Sequence, residues 1–370
     1  MLTGRDGMKR IVESAVSSEI VIEGQRYLNF GGSAYLGLAR NTEILEAGIA
    51  TLRTTGAGYQ IARHCQVETR AHQQVESEAA KFFHSEAAMY FAGGYLFGLI
   101  ALAAVKDRFS VIFFDEVAHY SLREAIGASG LPSHPFKHLD PEDLRKLLKM
   151  RLNAKERPLI VTDGLFPTIG EIAPLSDLSQ VMSEYDGRLL VDESHSFGVL
   201  GAQGRGAAEH HNIPSSSTWI GGSLSKAFGG CGGIIPASEA DVAAFRATPV
   251  GLGGGAGMPA AATMCAASLR FVRKHPELLE RLRENVAYMK GGLRKIGLKV
   301  AEGVAPIASF GVGDRQAMQS LQSRLMSEGI FVLYTNYIGA GMDGVIRCGI
   351  FADHTKEQID RLLETLRRIL

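Results

Sequence analysis

Arg188-Leu-Leu-Val-Asp-Glu-Ser-His195 and Trp219-Ile-Gly-Gly-Ser-Leu-Ser-Lys-Ala-Phe-Gly229 decide the architecture. Each opens as a short apolar run and then turns abruptly polar. That is the pattern of a strand buried on both faces, which ends where its side chains reach an open edge. Working outward, similar runs occur at Ala88–Phe91, Ser110–Phe114 and Leu159–Thr162. Helical periodicity separates them at Ala71–Phe83, Leu96–Val105, Ser121–Ser129, Pro141–Arg151 and Leu175–Tyr185. Strand and helix alternating in this way predict an α/β fold with a mostly parallel sheet covered by helices.

The flanks read differently. Residues 1–50 form an N-terminal segment, helical in its opening third, with a hairpin over Glu19–Phe30 turning at Glu23-Gly24-Gln25. The large domain is expected over 51–258. A linking helix, Pro259–Ile296, then leads a smaller C-terminal α+β domain within 259–370. Its expected strands are Lys299–Val304, Ile307–Val312, Ile330–Tyr334 and Gly344–Phe351, with helices at Arg315–Glu328 and Thr355–Leu370.

Composition narrows the partners. In 370 residues, 39 Lys and Arg balance 39 Asp and Glu, so nothing draws the surface to nucleic acid or an anionic membrane. The charge-free stretch from Ala87 to Val105 is long enough to span a bilayer, but Gly93-Gly94 splits it into a strand and a buried helix. Cys65, Cys231, Cys265 and Cys348 are widely spaced, as neither a disulfide framework nor a zinc site would be. With no signal peptide at the start, the expected compartment is the cytoplasm. The 43 glycines exceed the roughly 26 that an average composition gives, so backbone must approach something closely at several points.

Ligands of open parallel sheets gather beyond the carboxyl ends of the strands. There stand Gly93-Gly94, His119, Asp163, Asp192 with His195, and Ser223 with Lys226. Singly, each has an ordinary explanation as a helix cap, a satisfied core histidine or a solvated lysine. Together they suit pyridoxal 5′-phosphate. A desolvated lysine can form a Schiff base, an aspartate can pair with a pyridinium nitrogen, and a hydroxyl with glycine N–H groups can hold a phosphate. A P-loop or dinucleotide site fits poorly: no GxxxxGK[ST] occurs, and Gly229-Gly-Cys-Gly-Gly233 follows the lysine instead of preceding it.

At these residues the chain resembles the α-oxoamine synthases, within the fold-type I pyridoxal-phosphate transferases. The resemblance rests on Tyr35-Leu-Gly-Leu38, Glu116-Val-Ala-His-Tyr-Ser121, Thr162-Asp-Gly-Leu-Phe166, Gly170-Glu-Ile-Ala-Pro-Leu175, Leu190-Val-Asp-Glu-Ser-His195, Gly198-Val-Leu-Gly201, Gly222–Gly229, and Val345-Ile-Arg347 through His354. It implies that Lys226 carries the cofactor, His119 stacks on its ring and Asp192 faces the ring nitrogen. His195 would bond the ring hydroxyl or the acyl oxygen, while Gly93, Gly94 and Ser223 hold the phosphate. Arg347 would bind the substrate carboxylate and contribute little to stability. The implied reaction is decarboxylative condensation of a small amino acid with an acyl thioester such as acyl-coenzyme A, giving an α-amino ketone, in a homodimer. Catalysis would fall to Lys226, His195 and Asp192.

Several positions depart from the family pattern. Ser33-Ala34 stand where an asparagine usually helps hold the carboxylate, and Pro167 replaces a serine near the ring. Gly253-Gly-Gly-Ala-Gly257 replaces a Ser-Thr pair, and Tyr334-Thr-Asn-Tyr337 replaces an Arg-Pro-Pro stretch. Because the substrate side is the altered one, a pyridoxal-phosphate aminotransferase, aldolase or decarboxylase of the same fold stays open as the alternative.

Overall fold

A computed structural model describes residues 10–58 and 60–370. Thirteen strands lie among the described residues. The hairpin strands are β1 (Glu19–Ile22) and β2 (Gln25–Asn29). The large sheet takes β3 (Ala87–Phe91), β4 (Val111–Asp115), β5 (Ser133–Phe136), β6 (Pro158–Asp163), β7 (Arg188–Asp192), β8 (Thr218–Ser223) and β9 (Gly233–Ala237). The last four are β10 (Ile307–Phe310), β11 (Ile330–Phe331), β12 (Leu333–Thr335) and β13 (Val345–Gly349).

The large sheet runs in the order β3-β9-β8-β7-β6-β4-β5. Only β9 is antiparallel to its neighbours. Period-two alternation explains why it is buried on both faces. Val111, Phe113, Ile160, Leu189 and Val191 enter one hydrophobic cluster, while Ile112, Leu159, Val161 and Leu190 enter another. On the second face lie the helices Phe97–Val105, Tyr120–Ser129 and Glu239–Arg246. On the first, Pro259–Lys274 packs against Arg70–Phe83 and Thr42–Thr55.

β5 and β9 escape the sequence pattern because each contains a proline. β5 is an edge strand, where Pro135 removes no ladder bond that matters, and Pro236 lies beyond the two residues of β9 that pair with β8. Where a single helix is expected over Pro259–Ile296, there are two, Pro259–Lys274 and Glu277–Lys295. Pro276 has no N–H and forces His275 out of helical geometry, to φ −124° and ψ 65°. Residues 299–304 form no strand. The expected helix at the N-terminus lies outside the described residues over 1–9, and 10–18 are not helical. The hairpin turns at Glu23 and Gly24, whose φ values of 51° and 75° are those of a type I′ turn.

The expected strand Ile330–Tyr334 divides at the buried Val332. Ile330–Phe331 pairs in parallel with β2, and Leu333–Thr335 pairs antiparallel with β13. One chain segment thereby ties the N-terminal hairpin to the sheet that carries Arg347. No helix among the described residues is long and apolar enough to cross a membrane.

Candidate active site

Asp115, Asp163, Asp192 and Ser223 are the last residues of β4, β6, β7 and β8. The sheet register sets Asp163 beside Asp192, and Asp192 beside Gly221. Side chains two strands apart are therefore delivered to one edge, and the loops that follow add His119, His195 and Lys226.

The two aspartates divide their work. Both are buried. Asp163 accepts the backbone N–H of His119 at 2.8 Å. Burial and the neighbouring Asp192 push its pKa well above the usual carboxylate range. Asp192 stands beside it in the sheet register. Its Oδ1 accepts the Ser194 N–H at 2.8 Å, and Oδ2 has no protein hydrogen bond among the described residues. A free carboxylate oxygen at this edge suits the protonated nitrogen of a pyridine ring.

Lys226 is half-buried and makes no ion pair within 4.0 Å among the described residues. Burial lowers its pKa, Asp192 and Asp163 oppose that, and the Arg347 guanidinium adds to the lowering. The result is an amine that gives up its proton more readily than a solvated lysine.

On the phosphate side, Gly94 sits directly on Ser223. A Cβ at Gly94 would fall 2.4 Å from Ser223 Cβ and 2.7 Å from its Cα, so only glycine allows this approach. At Gly93 a Cβ would meet open space. The helix Phe97–Val105 starts just beyond, after the 3-10 turn Gly94–Leu96, and its N-terminus favours an anion. Ser223 Oγ lies 2.6 Å from Ser225 Oγ, and the Ser223 N–H donates to Ser194 Oγ at 2.9 Å. An open cradle of donors, a free Asp192 oxygen and an unpaired lysine fit pyridoxal 5′-phosphate.

His195 and Arg347 are joined through a residue that sequence reasoning passed over. Tyr35 is fully buried, and its hydroxyl stands 2.8 Å from His195 Nδ1 and 3.3 Å from Arg347 Nη2. The guanidinium can only donate, leaving the Tyr35 O–H to donate to Nδ1 and the His195 proton on Nε2. Burial, with the charges of Lys226 and Arg347, holds the His195 pKa well below its ordinary value, so the ring is neutral. Tyr35 lies inside the quoted motif Tyr35-Leu-Gly-Leu38, but nothing in the motif marks its hydroxyl as the link.

Arg347 corrects one expectation. It is not a clamp with a free guanidinium: Nε donates to Pro167 O at 2.7 Å, Nη1 to Gly32 O at 2.8 Å and Nη2 to Tyr35 Oη. It is 7% exposed and pairs with no carboxylate among the described residues. Of its five N–H donors two remain, one on each terminal nitrogen. Arg347 is thus a structural tie as well as a candidate for carboxylate binding. The other sequence candidates stand together, with Asp192 and Arg347 near enough that their charges act on the titration of His119, His195 and Lys226.

His119 caps the helix Tyr120–Ser129. Tyr337, from the altered stretch after β12, reaches its Nε2 at 3.0 Å. Glu193, beside the catalytic candidates, is structural. It accepts the N–H groups of Ala207 and Ala208 at 2.7 and 2.8 Å and bonds Ser196, and burial raises its pKa to about 7.

With this geometry in view, comparison with known proteins gives a consistent answer. The family described as aminotransferase class I and II matches residues 25–366. An 8-amino-7-oxononanoate synthase from Bacillus velezensis is 31% identical over 97% of this chain and 92% of its own length. A serine palmitoyltransferase from S. paucimobilis, solved with a pyridoxal-phosphate–myriocin adduct, superposes with a TM-score of 0.90 at 26% identity, covering 97% of this chain and 92% of that one. An 8-amino-7-oxononanoate synthase from Francisella tularensis superposes with a TM-score of 0.79 at 26% identity, over 92% and 97%. These likenesses along nearly the whole length place the chain in the aminotransferase class I and II family, among its α-oxoamine synthases, as a pyridoxal-phosphate-dependent acyltransferase.

Proposed function

We propose that Lys226, Asp192, His119, His195 and Arg347 together condense a small amino acid with an acyl thioester, releasing thiol and carbon dioxide and leaving an α-amino ketone. The observation that carries this reading is the hydrogen-bonded chain Arg347–Tyr35–His195 beside Lys226. It puts a carboxylate-binding cation and a carbonyl-polarising N–H on one rigid relay.

Pyridoxal 5′-phosphate, when bound, supplies a ring that takes up the electron pair left on the amino acid's α-carbon. Gly93, Gly94 and Ser223 would hold its phosphate, His119 would cover the ring, and Asp192 Oδ2 would keep the ring nitrogen protonated. Lys226 Nζ would hold the cofactor, and its amine, with a lowered pKa, would take the substrate's α-proton. The two remaining N–H groups of Arg347 receive the amino acid's carboxylate. His195 Nε2–H donates to the thioester carbonyl as negative charge develops there, and its Nδ1 stays fixed by Tyr35.

The product named by the relatives, 8-amino-7-oxononanoate, is an α-amino ketone whose amino-bearing carbon also carries a methyl group. Alanine would leave that fragment after decarboxylation, so alanine is the first amino acid to supply. The working unit we assign is a homodimer. Ile61, Val67, Leu252 and Met258 are each 40% exposed or more and flank the glycine run 253–257, where the helix Pro249–Gly253 packs on Arg63–Cys65. An apolar patch of this kind marks an interface. All four cysteines are unpaired, as a reducing cytoplasm would keep them.

The test is turnover by holoenzyme supplied with alanine and a series of acyl-coenzyme A thioesters. Thiol and carbon dioxide should appear in equal amounts, each requiring both substrates. Amino transfer to a keto acid with no thiol release would reject the reading.

A further inference from the structure

Tyr337 follows β12 and reaches back to the imidazole that covers the ring, 3.0 Å from His119 Nε2. The direction of that hydrogen bond follows from the other imidazole nitrogen. His119 Nδ1 lies 3.2 Å from the Ser121 backbone nitrogen and 2.7 Å from Ser121 Oγ. A backbone N–H only donates, and both contacts are satisfied together when Nδ1 presents its lone pair. Burial lowers the His119 pKa, Asp192 and Glu124 oppose that and Lys226 adds to it, so the net shift favours the neutral ring, whose single proton then sits on Nε2. Nε2–H therefore donates to Tyr337 Oη. The hydroxyl's own proton has no acceptor among the described residues.

The ring of Tyr337 is fixed as well as its oxygen. It meets Tyr120 edge-on at 5.1 Å and stands 5.9 Å from the His119 ring. Burial raises its pKa, with Tyr120 and Asp163 contributing, so the hydroxyl stays protonated near neutral pH. Around the amino acid's carboxylate, Arg347 has two donors left and Ser33-Ala34 offer no amide side chain. A hydroxyl with one unused donor thus stands beside His119 at the same strand-end edge, in a site whose substrate side is short of donors.

We propose that Tyr337 is a specificity-determining residue whose hydroxyl donates a hydrogen bond to an oxygen of the bound substrate. This rests on the condensation proposed above. The oxygen belongs either to the amino acid's carboxylate or to the thioester's carbonyl, and the two sources separate experimentally.

Tyr337→Phe keeps the ring and removes the donor. Tyr120→Phe is the control, because its hydroxyl makes no hydrogen bond among the described residues although its ring packs in the same cluster. With loaded enzyme, KM is measured separately for alanine and for the acyl thioester, together with kcat and the cofactor's absorbance spectrum. Alanine binding is also read by equilibrium spectral titration, which requires no turnover. Tyr337→Phe should raise one constant roughly tenfold or more, the size of a lost hydrogen bond to a charged or developing acceptor. The affected substrate identifies the oxygen. Absorbance should not move, kcat should stay within a few-fold, and Tyr120→Phe should match wild type. Unchanged constants for both substrates would overturn the proposal. So would an altered spectrum with unchanged constants, since Tyr337 would then only hold His119. Wild-type enzyme that binds alanine but releases no thiol would instead reject the condensation, and the alanine titration would still judge Tyr337.

Discussion

Arg347 shows how one side chain can be legible in kind and hidden in detail. Val345-Ile-Arg347 marks an arginine on a strand near the substrate, but the sequence does not say that Gly32 O, Pro167 O and Tyr35 Oη already claim three of its donors. Those partners come from three distant segments, and no local spacing encodes them. The consequence is a mixed phenotype. Arg347→Ala should raise the amino acid's KM by about two orders of magnitude, in line with the ~3–5 kcal/mol cost of breaking a desolvated charge pair. It should also lower the melting temperature, because two part-buried main-chain carbonyls lose their donors, at up to about 1–3 kcal/mol each where water does not replace them. Arg347→Lys should recover little of either, since one ammonium cannot serve three separated oxygens. Normal amino-acid KM in a destabilised Arg347→Ala would make the residue purely structural. The placement of Asp192 at the end of β7 and of Lys226 just past β8, by contrast, follows from local signals, an apolar run turning polar.

At the level of elements, the buried parallel strands stood out because each is a continuous apolar run. β5 and β9 did not, because proline and glycine mask them. The least visible element is the turn between Leu165 and Ile172, which bridge each other and hold Pro167 out to Arg347. Its brace is His138, whose Nδ1 lies 2.8 Å from Asp115 and whose Nε2 lies 3.0 Å from Glu171. Two carboxylates against two ring nitrogens require both to be protonated. Burial opposes the charge, but the bonds to Asp115 and Glu171 outweigh it and raise the pKa from 6.5 to about 9. A folded-state pKa above the unfolded one stabilises fully below the unfolded value and fades as pH rises through the folded one. The brace should therefore hold at pH 6 and disappear above about 9. Comparing melting temperatures of wild type and Glu171→Gln across that range should show a gap at low pH that closes at high pH. A gap independent of pH would mean that His138 is not charged in the folded protein.

Across the whole molecule, alternating strands and helices were enough to predict the large sheet, and the ends of those strands were enough to gather the candidate residues at one edge. What stayed hidden was closure over distance. The segment Ile330–Thr335 leaves one sheet for another within a few residues, so the hairpin near the N-terminus and the strand bearing Arg347 are held together. Residue periodicity contains no trace of that switch, because both halves look like strand. The substrate side is assembled from just such long-range contacts, which is why Tyr35 and Tyr337 emerged only from the fold. The most direct measurement is native mass spectrometry of the loaded enzyme after borohydride reduction, followed by peptide mapping. It should find two chains carrying two reduced cofactors, with every label on Lys226. A chain without cofactor, or a label on any other lysine, would contradict the assignment of this edge as the active site.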